Sequence, residues 1–307
     1  MEQRVIVIVG PTCSGKTKLA IDLALELNTE IISADSRQIF KFLSIGTAKP
    51  SNEELSQVKH HFIDYLEPDE EYNVGRFEKD AFEIIESLTY QNKIPIVVGG
   101  SGLYVKAIVD GIVDVASDEE LREQLQDERE KFGNEYIYDK LKKLDPTAAV
   151  TMLPQNWKRI IRAIEVYHLT GRSILEIHEK QKRKVDYSFF QFGLEWERSA
   201  LYNNINNRVD EMIENGLIDE VKNILAMGYS KELNALNTVG YKEIISHLSG
   251  EISLERAVEL IKRNTRRFAK RQLTWFRKDE RIKWININLI DDLRNAKDLI
   301  LNSIRIV

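Results

Sequence analysis

The chain has a single cysteine, Cys13, in 307 residues. One thiol excludes an intramolecular disulfide and any cysteine-based zinc site. No apolar run approaches the roughly 20 residues that a membrane helix needs. No charged-then-apolar leader precedes the first strand-like segment, so no signal peptide is expected. There is no internal repeat and no low-complexity tract. These absences lead to the expectation of a cytoplasmic protein with no membrane partner. The net charge of −5, taken alone, argues against a nucleic-acid partner.

What is present is ordinary for a soluble globular chain: 43% hydrophobic and 30% charged residues. The length suffices to bury a full core in one large or two smaller domains. The charge is unevenly spread. Residues 262–283 hold ten Lys/Arg and two Asp/Glu, with Phe268, Trp275 and Phe276 interleaved. Residues 157–184 hold eight Lys/Arg and three Asp/Glu. Local positive patches, not the total, attract phosphate backbones, although either patch also suits a solvated helix face.

The strongest local signal is Gly10-Pro11-Thr12-Cys13-Ser14-Gly15-Lys16-Thr17, placed after the apolar run Val5–Val9 and before the amphipathic stretch Leu19–Leu27. This is a P-loop in its proper strand-to-helix context. Its glycines let backbone N–H groups turn around phosphate oxygens. The helix N-terminus adds its positive dipole end. Lys16 supplies a mobile charge, and Thr17 a hydroxyl suited to Mg²⁺.

Strand and helix alternate through the first third: Val5–Val9, helix Lys16–Leu27, strand Glu30–Ala34, a third strand over Phe62–Leu66, helix Val74–Gln91 and strand Ile94–Val98. Such alternation predicts an α/β fold, a parallel sheet with helices on both faces. From Ser117 the pattern becomes helical, with a break at Asp145-Pro146, another helix near Asn156–Leu169 and a stop at Gly171. Ser188–Glu195 resumes strand character. Helices follow, with turns near Gly216, Gly228 and Gly250, and Ile282–Ile287 reads as a last strand. The expected domains are a P-loop α/β core, 1–112 with 188–307, and an all-helical insertion, 113–187.

A P-loop ATPase normally carries an acid at the end of a second strand to hold Mg²⁺. Here the strand Ile94–Val98 runs into Gly99-Gly100-Ser101-Gly102 instead. Ile31–Ala34 ends in Asp35, which by the strand-end rule lies across from the P-loop. Asp35 suits a general base, a metal ligand or a simple cap. Ser101 suits a ligand contact or an ordinary turn. His60-His61 lacks companion ligands at metal spacing, so structural roles are expected. Cys13 reads as a small pocket-lining residue.

The chain resembles the tRNA dimethylallyltransferase family, also called tRNA isopentenyltransferases. The matching segments are 10–17 (GPTCSGKT), 32–50 (ISADSRQIFKFLSIGTAKP), 60–77 (HHFIDYLEPDEEYNVGRF), 97–108 (VVGGSGLYVKAI), 144–149 (LDPTAA), 158–172 (KRIIRAIEVYHLTGR), 238–245 (TVGYKEII) and 264–277 (NTRRFAKRQLTWFR). They lie in order over nearly the whole chain and look like the compact bacterial form, without the C-terminal zinc finger of some relatives. The resemblance implies a P-loop NTPase-like, kinase-like core with an insertion that clamps the tRNA anticodon stem-loop. It implies transfer of a dimethylallyl group from dimethylallyl diphosphate to the exocyclic amine of adenosine 37, with Mg²⁺ as cofactor. Catalytic roles fall on Lys16 and Arg208 for the diphosphate, Asp35 as general base and Ser101 at the adenine, where most members have Thr. Residues 10–17 hold the diphosphate and Thr17 the metal. Contacts to tRNA fall on Asp35, Ser36, Arg37, Gln38, Ser101, Arg122, Lys158, Arg159, Ile160, Ile161, Arg162, Asn237, Thr238, Val239, Gly240, Tyr241 and Lys242. Lys158 replaces a usual Gln. Trp157 beside it suits base stacking or, more plainly, the insertion's core. A monomer is expected. Other readings are a P-loop kinase, a transferase acting on free adenine nucleotides and a non-catalytic RNA-binding protein. The basic patches, the missing acid and the intact Lys16, Thr17 and Asp35 count against them.

Overall fold

The computed structural model describes residues 3–112, 115–180, 187–289 and 291–305. In chain order the elements are β1 (Gln3–Val9), α1 (Lys16–Glu26), β2 (Ile31–Ser33), α2 (Asn52–Gln57), β3 (His60–His61), α3 (Val74–Tyr90), β4 (Ile96–Gly99) and α4 (Gly102–Asp110). Then come α5 (Glu119–Phe132), α6 (Asn134–Leu144), α7 (Pro146–Ala149), α8 (Trp157–Thr170) and α9 (Ile174–Lys180). The chain ends with β5 (Tyr187–Trp196), α10 (Arg198–Glu214), α11 (Leu217–Ala226), α12 (Tyr241–Leu248), α13 (Leu254–Phe276), β6 (Lys283–Ile287) and α14 (Asp292–Arg305). Two compact units result: residues 1–109 with 186–307, and residues 110–185. The expected insertion start at Val113 lies outside the described residues, as do Lys182, Arg183 and Lys184 of the second basic patch.

In the first unit six strands form one sheet in the order β3-β2-β4-β1-β5-β6, every pair parallel. Val5 to Val9 are wholly buried, as an apolar run covered on both faces requires. Each such side chain contributes about 1.5–3 kcal/mol relative to exposure. Ile6 and Ile8 pack with Leu19 and Leu23 of α1 and with Leu293 and Ile300 of α14. By alternation Val5 and Val7 face the other side. There Phe82 of α3 reaches Tyr187 of β5, and Phe77 stacks on Tyr104 of α4 at 4.1 Å. Helix α14 was not expected from the sequence.

The register sets up the site. Val9 of β1 is level with Gly99 of β4 and Gly193 of β5. Ser33 of β2 is level with Val98 of β4. The P-loop, Asp35 and Ser101 therefore leave three neighbouring strands at one end of the sheet.

One expected strand is corrected. The third strand is His60–His61, and residues 62–66 do not continue it. Phe62 and Asp64 hold φ of 63° and 50°, a left-handed conformation that breaks extended backbone. Only Leu66 makes an isolated bridge, to Phe40.

The second unit is built of α5 to α9 around Leu125, Ile137, Leu141, Ile160 and Ile164, with no strand among its described residues. Helix α8 stops where the sequence placed its stop, at Gly171 with φ 66°. Glu165, fully buried on α8, accepts from Asp118 N at 2.7 Å and from Arg122 Nε at 2.8 Å, and pairs with Arg162. A buried carboxylate is tolerable only with such partners. Among the described residues no helix is long and apolar enough to cross a membrane.

Candidate active site

The P-loop is held from below by neighbours distant in sequence. Trp196 at the end of β5 donates its indole N–H to Ser14 O at 3.1 Å. Gly15 caps α1 with φ 85°. Lys16 folds back over the loop, donating to Pro11 O at 2.6 Å and reaching Ser14 Oγ at 3.5 Å. Arg208 of α10 arrives over the loop: its Nη1 lies 3.1 Å from Thr12 Oγ1 and 3.3 Å from Cys13 Sγ. Two cations thus converge on one nest of backbone amides. Burial, and then the Arg208 charge, lower the Lys16 pKa to about 8, against opposing pulls from Asp35 and Cys13. Crowding of two cations is what a bound polyanion would relieve.

Asp35 follows β2. Its Oδ1 accepts from Arg37 N at 2.8 Å and Gln38 N at 3.3 Å, which fixes the carboxylate. Among the described residues its Oδ2 takes no hydrogen bond. Asp35 thus caps a tight turn with one oxygen and leaves the other available. Ser101 follows β4. Its Oγ accepts from Ser36 N at 3.0 Å and stands 3.2 Å from Ser36 Oγ. Its N–H donates to Ala34 O at 3.2 Å. Tyr104, buried one turn into α4, lies near Asp35 and Arg37, and burial pushes its phenol up to about 12.

The approach of these elements is close because glycines permit it. A Cβ on Gly99 would lie 2.1 Å from Ala34 O, one on Gly100 2.1 Å from Gln272 Nε2, and one on Gly102 2.3 Å from Trp275 Cδ1. Gln272 of α13 is buried and bonds both sides of the site, accepting from Thr12 N at 2.9 Å and donating to Gly100 O at 3.0 Å.

The remaining expected residues fall in three groups. Gln38 donates to Thr47 O at 3.1 Å and Ala48 O at 2.9 Å, and Arg37 Nη1 to Asn234 O at 2.6 Å, so both brace the turn around Asp35. Residues 237–242 lead into α12. There Tyr241 is buried and bonds Glu220 at 2.6 Å. Glu220 of α11 also accepts from Ser44 N, Ile45 N and Gly46 N at 3.0, 2.8 and 3.2 Å. In the second unit Lys158 and Arg159 are exposed. Ile160 and Ile161 are buried in its core, so the expectation that they contact a ligand is corrected for their side chains. Trp157 packs against that core, with the Arg129 guanidinium 4.1 Å from its ring centre. His60 Nδ1 lies 2.8 Å from Val58 O and His61 Nε2 2.7 Å from Glu30. Burial lowers both imidazole pKa values, which suits structural roles.

Sequence reasoning missed Gln272, Glu220, Trp196 and Tyr104. Gln272 left one trace: it takes a buried position in the series Ala269, Gln272, Phe276, where an apolar residue is the rule.

No three His, Cys, Asp or Glu among the described residues group as a metal cage. Thr17, half-buried in the first turn of α1, carries a hydroxyl with no hydrogen bond among the described residues. One hydroxyl suits Mg²⁺, which takes few protein ligands and completes its shell with phosphate oxygens and water.

A parallel sheet with a P-loop after β1, two cations over it, and a glycine turn in place of an acid after β4 defines a P-loop protein that lacks an ATPase's acid. The profile of the IPP transferase family matches residues 38–279. The chain is 48% identical to the tRNA dimethylallyltransferase of Alkaliphilus oremlandii, over 99% of this chain and 98% of that protein. It is similar to the crystal structure of a full-length tRNA isopentenylpyrophosphate transferase from Bacillus halodurans, with TM-score 0.72 and 38% identity over 99% and 97% of the two chains. It is also similar to a eukaryotic dimethylallyltransferase solved acting on tRNA, with TM-score 0.81 and 30% identity over 97% of this chain and 78% of that one. The chain belongs to the IPP transferase family, the tRNA dimethylallyltransferases.

Proposed function

We propose that the protein transfers a dimethylallyl group from dimethylallyl diphosphate to the exocyclic amine of adenosine 37 in tRNA, next to the anticodon. One observation carries the chemistry: the register brings the P-loop with its two cations after β1, Ser101 after β4 and Asp35 after β2 to the same end of the sheet. The amine is a poor nucleophile, because its lone pair is delocalised into the ring. The allylic carbon becomes partly cationic as its bond to oxygen lengthens. That C–O bond breaks with both electrons passing to the diphosphate. The amine nitrogen forms the new N–C bond and loses a proton to Asp35. P-loop amides, Lys16 and Arg208 stabilise the charge growing on the leaving group, and a guanidinium fork suits a diphosphate. Thr17 would hold Mg²⁺, which adds charge stabilisation on the same oxygens. Asp35 Oδ1, pinned by two amides, leaves Oδ2 as the base. Ser101 stands beside it to bond the adenine.

The target base must leave its stack to reach the site. Exposed cations support an RNA partner: Lys158 and Arg159 in the second unit, and Arg267, Lys270 and Arg271 on α13 beside exposed Phe268 and Trp275. Arg122 and Arg162 keep their positions through buried Glu165. Residues 36–38, with exposed Asn237 and Lys242, complete the reading of the loop.

The test is transfer of label from dimethylallyl diphosphate to total tRNA, with and without Mg²⁺, followed by nucleoside analysis. Dimethylallyladenosine at position 37 is expected. ATP-dependent phosphorylation of a nucleotide with no prenyl transfer would replace this reading with a kinase.

A further inference from the structure

We propose that Gln272 is a positioning residue that sets the leaving-group half of the site against the acceptor half. This rests on the function proposed above. The two halves are far apart in sequence: residues 10–17 hold the diphosphate, and residues 35–38 with Ser101 face the amine. Gln272 touches both. Its Oε1 accepts from Thr12 N at 2.9 Å, and its Nε2 donates to Gly100 O at 3.0 Å, one residue before Ser101.

Three features make this a brace and not a chance contact. First, only one amide orientation serves both partners, since Thr12 offers a donor and Gly100 an acceptor. Second, Gln272 is 6% exposed on the buried side of α13, among Ala269 and Phe276. A polar group there is costly unless both ends are bonded. Third, the backbone of Gly100 approaches the amide so closely that any Cβ would meet it at 2.1 Å.

The brace has a consequence for the P-loop. The Thr12 amide is already engaged, so the amides that follow it form the phosphate nest. Arg208 bonds the Thr12 hydroxyl of the same residue. Thr12 is therefore held by its amide from α13 and by its side chain from α10. A shift of α13 moves the P-loop and the turn bearing Ser101 together, and their spacing is preserved. Displacement of about 1 Å between reacting groups costs on the order of 10²-fold in rate.

Two substitutions test this. Gln272→Met keeps the volume and removes both bonds. Gln272→Glu keeps an acceptor for Thr12, but its ionised carboxylate repels Gly100 O. When protonated, that carboxyl donates to Gly100 O again and restores the brace. Each variant is assayed with the wild type for kcat with dimethylallyl diphosphate and tRNA, affinity for inorganic diphosphate, affinity for tRNA and thermal midpoint. For Gln272→Met, kcat should fall about 10²-fold and diphosphate affinity about 10-fold, with tRNA affinity within about threefold. For Gln272→Glu, the ratio of variant to wild-type kcat and of diphosphate affinity should recover at least about fivefold between pH 9 and pH 6. Lys16 titrates in both proteins and cancels in the ratio. A kcat for Gln272→Met within about threefold of wild type overturns the proposal. So does a loss of tRNA affinity in step with kcat and thermal midpoint, which marks general destabilisation. A pH-independent ratio for Gln272→Glu overturns it as well. Absence of transfer by the wild type would instead count against the proposed function, and the diphosphate affinities of the variants would still decide the role of Gln272.

Discussion

The two halves of the site are built in different ways. The proposed phosphate half is a contiguous run, 10–17, which turns on its own glycines at the start of α1 and is braced from outside by Trp196, Arg208 and Gln272. The proposed acceptor half, 35–50 with Ser101, follows no single turn motif, and its internal bonds from Asp35 and Gln38 set only part of it. The rest of its shape is imposed by residues far along the chain: Asn234 on Arg37, and Glu220 on three successive amides of residues 44–46. A leaving group is the same in every turnover, so a nest drawn from one run of the chain serves. A flipped base must be met by a surface assembled from several segments, and only tertiary structure assembles it.

This contrast can be broken at several places. The largest effect is expected at Asp35: Asp35→Ala should cut turnover by about 10²–10⁴-fold, with tRNA affinity less affected. Unchanged single-turnover rates would remove Asp35 as the base. Next is Lys16, where Lys16→Ala should weaken inorganic diphosphate binding by about 10- to 100-fold, the worth of a charge-assisted bond. A normal calorimetric titration would take Lys16 out of the grip.

The same lysine gives a pH test. Only its protonated form attracts the anion, and its pKa is lowered to about 8. Diphosphate affinity, taken relative to Lys16→Ala so that the ligand's own ionisation cancels, should hold below pH 8 and fall as pH rises beyond it. A flat ratio from pH 7 to 10 would contradict this. Because the folded pKa is depressed, the charged lysine costs stability below pH 8, and that cost is relieved as pH rises toward the unfolded value.

On the acceptor side, Glu220→Ala strands three amides and the Tyr241 hydroxyl. It should destabilise the fold by about 1–3 kcal/mol and weaken tRNA binding while diphosphate binding stays. Equal loss at both ligands would mean that the halves are not separable. The smallest effect is expected from Lys158→Ala with Arg159→Ala. Both side chains are exposed, so folding should be spared, and the log–log salt slope of tRNA binding should shrink by about 1 to 2. An unchanged slope would remove them from the RNA interface. Arg122 and Arg162 are poor choices for that experiment, because either change takes one of two guanidinium partners from buried Glu165.

The sequence was legible wherever information is local. The apolar run of β1, the P-loop, the start of α3 at Val74 and the stop at Gly171 all lie where pattern and turn chemistry put them. The third strand was misplaced because the apolar letters of residues 62–66 say nothing of the left-handed φ at Phe62 and Asp64. Helix α14 was passed over, although it buries Leu293, Ala296 and Ile300 against the sheet. Asp35 and Ser101 were singled out from strand ends. Glu220 left no signal and Gln272 only its polar letter on a buried helix face, because the value of each lies in partners more than 170 residues away.

The turn after β4 leaves little freedom for variation. Gly99 abuts the backbone of Ala34, Gly100 the amide of Gln272, and Gly102 the indole of Trp275. A larger residue at Gly99 meets fixed backbone, at Gly100 it must displace the Gln272 amide, and at Gly102 it must turn the Trp275 indole aside. Ser101 is the one position of the four that varies without displacing a neighbour, and a library randomised across 99–102 should return functional clones that keep Gly99 and vary most at Ser101.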